Sequence, residues 1–175
     1  WAMAVNTMGI VHYVHEVLPI MEAQKTPAHL MCTASIAGLR AGMAVNPPYF
    51  ASKHAAVSVA ESVKAEVEST GCDIGVSVFC PMYVATDIHN CEKHRPARFW
   101  DASDPFYRSE EYIKAREAFR DNVTGGMPLD NIGKRLFQAI EDNQMYIVTH
   151  TQTIPYIEER HRAIEADAKK ELELS

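Results

Sequence analysis

Tyr49 and Lys53 stand four residues apart in the segment YFASKHA. On a helix, positions i and i+4 share a face, so a phenol and an ammonium can approach one another. A free tyrosine has a pKa of about 10 and is a poor base at neutral pH. An ammonium about 5 Å away, at an effective dielectric near 20, is expected to favour the phenolate by on the order of 3 kcal/mol, or about two pKa units. That shift would bring Tyr49 into range for general acid–base work. The bland alternative is a solvated helix face. Ser35 lies 14 residues earlier, in a loop leaving an apolar run. A hydroxyl there can hydrogen-bond a carbonyl oxygen and polarise it.

These residues need a scaffold, and the hydrophobic pattern supplies one. Val5, Met8, Val11, Val14, Leu18 and Met21 recur at helical spacing and predict a helix over 3–23, with Pro19 kinking or ending its last turn. Residues 28–33 (AHLMCT) read as a buried strand feeding a loop at 35–38. Residues 49–69 form a helix stopped by Gly71, and 73–80 (DIGVSVFC) a second strand ended by Pro81. Helix, strand, helix, strand is the βαβ pattern of a parallel sheet covered by helices, whose ligands sit at the carboxyl ends of the strands. Residues 86–110 look irregular and 109–122 helical, and Gly125-Gly126 reads as a flexible joint. A third unit follows: a helix over 130–143 with Asp130 as N-cap, a strand over 145–149, and a charged helix over 155–172.

Composition narrows the function classes. The chain has 175 residues, 17 Lys+Arg against 23 Asp+Glu, and a net charge of −6, which argues against a nucleic-acid binder. Its most apolar stretch, 3–21, carries Asn6, His12, His15 and Glu16 and is no membrane span. No basic n-region of a signal peptide is visible. The cysteines at 32, 72, 80 and 91 form no C-x-x-C pair, so a reducing, cytoplasmic setting is the simpler reading. No metal is assigned. His12, His15 and Glu16 read as interfacial helix residues, and His89, Cys91 and His94 as part of a polar loop.

Four segments resemble the short-chain dehydrogenase/reductase family. Asn6 in VNTMG matches its helix Asn, and Ser35 in TASIAG matches the Ser of its S-x-x-G loop. Tyr49 and Lys53 match its Tyr-x-x-x-Lys pair, and Pro81 to Thr86 (PMYVAT) resembles its P-G-x-V-x-T loop. The likeness is specific from residue 1 to about 90 and looser to about 150, where MYIVTH resembles the last strand. Met82 departs from the usual Gly of the Pro-Gly pair, and Cys32 stands where an Asn is common. No G-x-x-x-G-x-G loop, N-A-G motif or cofactor-selecting acidic or basic residue is found.

The resemblance implies an α/β fold, a partial Rossmann-like doubly wound parallel sheet of three C-terminal strands with flanking helices. It makes 1–175 the C-terminal part of one cofactor-binding domain, with 87–126 as substrate lid and 155–175 as C-terminal helix. It implies an NAD- or NADP-dependent oxidoreductase that interconverts an alcohol and a ketone or aldehyde. Tyr49 would be the general acid/base. Lys53 would lower the Tyr49 pKa and hold the nicotinamide ribose. Ser35 would orient the substrate oxygen, and Asn6 would keep a relay water. Pro81, Val84 and Thr86 would touch the nicotinamide, and so would Tyr49 and Lys53. Phe99, Trp100, Phe106 and Tyr107 could line an apolar substrate pocket. The helices 3–23 and 49–69, eased by Ala55, Ala56, Ala60 and Ala65, would form a homodimer or homotetramer face.

The partner is then a small alcohol or carbonyl compound, with neither nucleic acid nor membrane. Two other readings stay open: a sugar-nucleotide epimerase-type relative using the same Tyr and Lys, and a non-catalytic oligomerising fragment. On the leading reading the 175-residue chain alone is inactive and binds NADH or NADPH weakly, for want of a phosphate loop. The strand over 28–33 would then have an open apolar edge.

Overall fold

Three parallel strands in the order β1-β2-β3 organise the chain. The structure is a computed structural model describing residues 1–42 and 46–172. β1 spans Ala28–Thr33, β2 Ile74–Cys80 and β3 Tyr146–Val148. Leu30 pairs with Val76 and Cys32 with Val78, and Phe79 pairs with Ile147. Side chains alternate across a strand, so each strand serves both faces of the sheet.

On one face, Leu30, Cys32, Val76, Val78 and Cys80 meet helices α1 (Met8–Gln24) and α2 (Pro47–Thr70). Leu18 comes from α1, and Ala56, Ala60, Val63 and Val67 come from α2. On the other face, Phe79 and Ile147 meet Ile132 and Ala139 of α4 (Leu129–Glu141), with Met31, Val84 and Met127 packed alongside. Helices on opposite faces of a parallel sheet make this the expected α/β, Rossmann-like layering. Ala56 and Ala60 are fully buried against the strands. Their small size therefore serves the core, not an intersubunit face.

β1 falls where the apolar run predicts. Gly71 closes α2 in the left-handed region at φ 69°, as its position after the helix suggests. Pro19 does not end α1, which continues to Gln24 and closes on Lys25 at φ 53°. The segment before α1, Met3–Thr7, is a π-helical turn, not α-helix. Pro128, not Asp130, occupies the N-cap of α4, and Asp130 sits in its first turn. Residues 86–109 contain three short 3-10 turns, at Ile88–His94, Ala97–Phe99 and Pro105–Arg108. α3 (Glu110–Thr124) follows, capped by Ser109, whose hydroxyl accepts from Tyr112 N at 3.1 Å. α5 spans Ile154–Leu172. The part of the 155–175 expectation beyond 172 lies outside the described residues. No helix among the described residues is long and apolar enough to cross a membrane.

Because the strands are parallel, the loops after β1 and β2 and the residues after β3 emerge at one edge and are tied together there. Ile36 N donates to Pro81 O at 2.9 Å. Met82 N donates to Thr149 Oγ1 at 3.4 Å.

Candidate active site

Ser35 ends β1's exit in extended backbone and caps the turn Ile36–Gly38. Its Oγ accepts from Ala37 N at 3.2 Å and donates to Pro81 O at 3.4 Å. The serine therefore joins the loops leaving β1 and β2. Gly38 lets this turn lie on α2. A Cβ there would stand 2.5 Å from Lys53 O and 2.8 Å from Val57 Cγ2. Only a residue without a side chain allows that approach.

Tyr49 and Lys53 occupy the first two turns of α2, which begins on Pro47-Pro48. Tyr49 is half-buried beside the Ser35 hydroxyl. Lys53 is buried, with Nζ donating to Thr33 O at 3.4 Å. The ammonium lies 5.8 Å from the centroid of the Tyr49 ring. Sharing a helix face therefore does bring the two groups together.

The predicted electrostatics need correction. Burial pushes the Tyr49 phenol above its ordinary value; the Ser35 hydroxyl opposes that rise, while Tyr83 and Cys91 add to it. Burial also lowers the Lys53 pKa, with Cys80 pulling the other way. Desolvation disfavours whichever form is charged, so it moves an acid up and an amine down. An ammonium acting in isolation would draw the Tyr49 phenol down. Here the loss of water dominates.

Asn6 sits on the π-helical turn, a geometry frequent at functional positions. Its Nδ2 donates to Ser52 Oγ at 3.0 Å, and Ser52 Oγ donates to Tyr49 O at 2.8 Å. Thr7 Oγ1 adds a bond to Ser52 O at 3.1 Å. Asn6 therefore meets the helix between Tyr49 and Lys53, at Ser52.

The segment Pro81–Thr86 is held on both sides. Val84 forms a single parallel bridge with Met127. Met127 N donates to Tyr83 O, and Ala85 N to Met127 O, both at 3.0 Å. Gly126, read from sequence as part of a flexible joint, is packed. A Cβ there would stand 2.7 Å from Tyr83 C and O. The excursion between 84 and 127 is closed at its neck. Thr86 is exposed, and its Oγ1 accepts from Ile88 N at 3.4 Å.

Within that excursion the aromatic residues pack on one another. Trp100 and Tyr107 lie 4.4 Å apart, and Phe106 and Tyr112 5.3 Å apart. Arg95 stands 4.8 Å over Trp100 and 5.2 Å over Trp1, and is paired with Glu92 at 3.3 Å. Trp100 and Tyr107 thus serve this cluster.

Two neighbours of Tyr49 escaped the sequence reading. Tyr83 and Cys91 both stand close enough to influence its phenol. Tyr83 had a signal, as the variable position of the PMYVAT loop; its ring also packs on Phe119 of α3, at 6.4 Å. Cys91 had none. No group of three or more His, Cys, Asp or Glu side chains suited to a metal occurs among the described residues.

Lys53 Nζ has three N–H groups and spends one on Thr33 O, and the Tyr49 hydroxyl lies on the same helix face. The backbone of 81–86 is fixed beside them. No glycine-rich G-x-x-x-G-x-G loop that could cradle a diphosphate exists in these 175 residues.

Known proteins are similar to this chain in sequence and fold. The model of the short chain dehydrogenase family matches residues 2–96. A "CLA biosynthesis dehydrogenase/reductase" from Lactiplantibacillus plantarum is 40% identical over 176 residues, covering 99% of this chain and 60% of that protein. A "C alpha-dehydrogenase" from a Sphingobium species is 26% identical over 164 residues, covering 94% and 51%. The chain thus spans little more than half the length of these curated relatives. A crystal structure of a short chain dehydrogenase/reductase from Burkholderia phymatum in complex with NAD superposes with a TM-score of 0.88 at 32% identity. It is matched over 95% of this chain and 58% of its own.

Proposed function

Because this chain belongs to the short-chain dehydrogenase family, we propose that it carries the proton-transfer machinery of an NAD- or NADP-dependent oxidoreductase that interconverts an alcohol and a ketone or aldehyde. The observation that carries this reading is the convergence of Ser35, Tyr49 and Lys53 at the carboxyl edge of β1 and β2. The nicotinamide cofactor, when bound, supplies or takes up the hydride. Every other task falls to the chain itself. Ser35 Oγ, fixed between Ala37 N and Pro81 O, orients the substrate oxygen. Tyr49 gives the proton to that oxygen in reduction and takes it in oxidation. Lys53 directs its remaining N–H groups to the nicotinamide ribose. Pro81, Val84 and Thr86 present backbone and side chain to the nicotinamide.

Asn6 holds Ser52 and so the first turns of α2, and keeps the relay water that joins Lys53 to solvent. Residues 87–126 serve as substrate lid, closed at the neck between Val84 and Met127. The assignment covers the nicotinamide end of the cofactor. Residues 1–175 act as the C-terminal, catalytic part of the cofactor-binding domain, and the diphosphate is the task of residues outside them. α1, the turn before it and α2 form the homo-oligomer face; Met3 and Val5 of that turn and Met8, Tyr13 and Ile20 of α1 are exposed. A reducing, cytoplasmic setting suits the four free cysteines.

The test is Tyr49→Phe in the intact protein. Turnover should vanish while NADH or NADPH binding, followed by fluorescence, stays near the wild-type value. Undiminished turnover would overturn the assignment.

A further inference from the structure

Arg40 lies in the loop that leaves Ser35 and leads toward Tyr49. Its backbone N donates to Ile36 O at 3.2 Å, which seats it one turn beyond the serine. Its guanidinium carbon stands 4.5 Å over the ring of Tyr156, in the first turns of α5. Its Nε is shielded from solvent and has no hydrogen-bond partner among the described residues. No carboxylate forms an ion pair with it among the described residues. Arg95, Arg116, Arg120 and Arg162 each have one; Arg98, Arg108, Arg135 and Arg160 also lack one among the described residues, but none of these four has a shielded N–H without a partner.

A shielded, unpaired guanidinium N–H is costly unless something accepts from it. Stacking on Tyr156 covers one face of the guanidinium plane, and the two Nη groups, unlike Nε, are not shielded and make no hydrogen bond among the described residues. That presentation matches the two oxygens of a carboxylate. In a chain of net charge −6, Arg40 joins Lys53 as a cation near Ser35 and Tyr49, and together they draw anions toward that edge.

We infer that Arg40, backed by Tyr156, is a carboxylate-recognition site, and that the substrates are alcohols and ketones bearing a carboxylate apart from the reacting carbon. The inference rests on the reading that Ser35 and Tyr49 hold the reacting oxygen. Arg40 then fixes the other end of the same molecule. It acts on specificity and takes no part in proton transfer.

The experiment is equilibrium binding to the intact protein, with hydroxydecanoates carrying the carbinol at positions 2 to 9, each beside its methyl ester. At least one acid should bind more tightly than its ester. Arg40→Gln should weaken that acid about 10- to 100-fold, the range of a charge-assisted hydrogen bond, and leave the ester unchanged. Arg40→Lys keeps the charge but loses the fork, and should fall between. Equal weakening of acid and ester would make Arg40 a strut between its loop and α5, and overturn the inference. So would the lack of any acid preference in the wild type, including no binding at all. If Arg40→Gln does not fold, the wild-type and Arg40→Lys comparisons still decide. Tyr49→Phe turnover is a separate readout. Its survival would count against the catalytic reading, while the acid–ester comparison judges Arg40 alone.

Discussion

Lys53→Met should make the protein more stable and less active. The lysine is 9% exposed, so its ammonium has lost most of its water. In return it has one hydrogen bond, to Thr33 O at 3.4 Å, and the edge of the Tyr49 ring field at 5.8 Å. The first is worth about 1 kcal/mol at best, and the second about 0.5–1 kcal/mol. The effective penalty for burying an ion is several kcal/mol. Methionine keeps most of the aliphatic stem and removes the charge. A net gain of about 1–2 kcal/mol follows, or roughly 2–8 °C in Tm for a chain of this size.

The pH dependence supplies a second check. Burial sets the folded pKa of Lys53 below its ordinary 10.5. Below the folded pKa both states are protonated and the folded state bears the full penalty. As pH rises from the folded pKa to 10.5 the penalty fades, so variant and wild type should converge in that window. Thermal melts at neutral and alkaline pH, with turnover measured alongside, test both parts. A Tm loss of several degrees at pH 7 would refute the reasoning, because the ammonium would then be bonded better than it is desolvated.

Two further outcomes follow from the packing. Gly126→Ala should cost about 1–3 kcal/mol in thermal unfolding, since its methyl meets Tyr83 and Val84 backbone atoms within 2.8 Å and neither can rotate away. An unchanged Tm would mean the neck has slack. His29 bonds to Ser77 Oγ at 2.7 Å, and burial together with Lys64 lowers its pKa below 6.5. The unfolded chain therefore takes up the proton first. Stability should decline as pH falls below 6.5 toward the folded value. His29→Gln should flatten that slope in urea titrations, and an unaltered slope would clear His29 of the effect.

The elements legible in sequence were those whose signal is local. β1 was readable because six apolar-rich residues stand between turn signals, and α2 because its apolar spacing ends on a glycine. Tyr49 and Lys53 were readable as a pair because positions i and i+4 share a helix face, and Ser35 joined them through the resemblance of TASIAG to the family's S-x-x-G loop. What escaped depends on the rest of the chain. The π-helical turn at Asn6 goes with bonds from Asn6 and Thr7 to Ser52, 45 or more residues away. Gly126 looked like a joint because a glycine's neighbours in space do not appear in its neighbours in sequence.

The sign of the Tyr49 shift is the most consequential of these. Spacing reports which charges are near, but not how much water has gone. Burial moves Tyr49 up and Lys53 down, which brings the two groups together toward their neutral forms. A phenol held protonated at neutral pH begins as a proton donor. On the proposed chemistry, reduction of a carbonyl would draw on it directly, with Ser35 aligning the acceptor oxygen. Oxidation of an alcohol must first ionise Tyr49 against the same desolvation. On the proposed chemistry, burial therefore biases the site toward donation at neutral pH, and raising the pH relieves the bias by making the phenolate easier to reach.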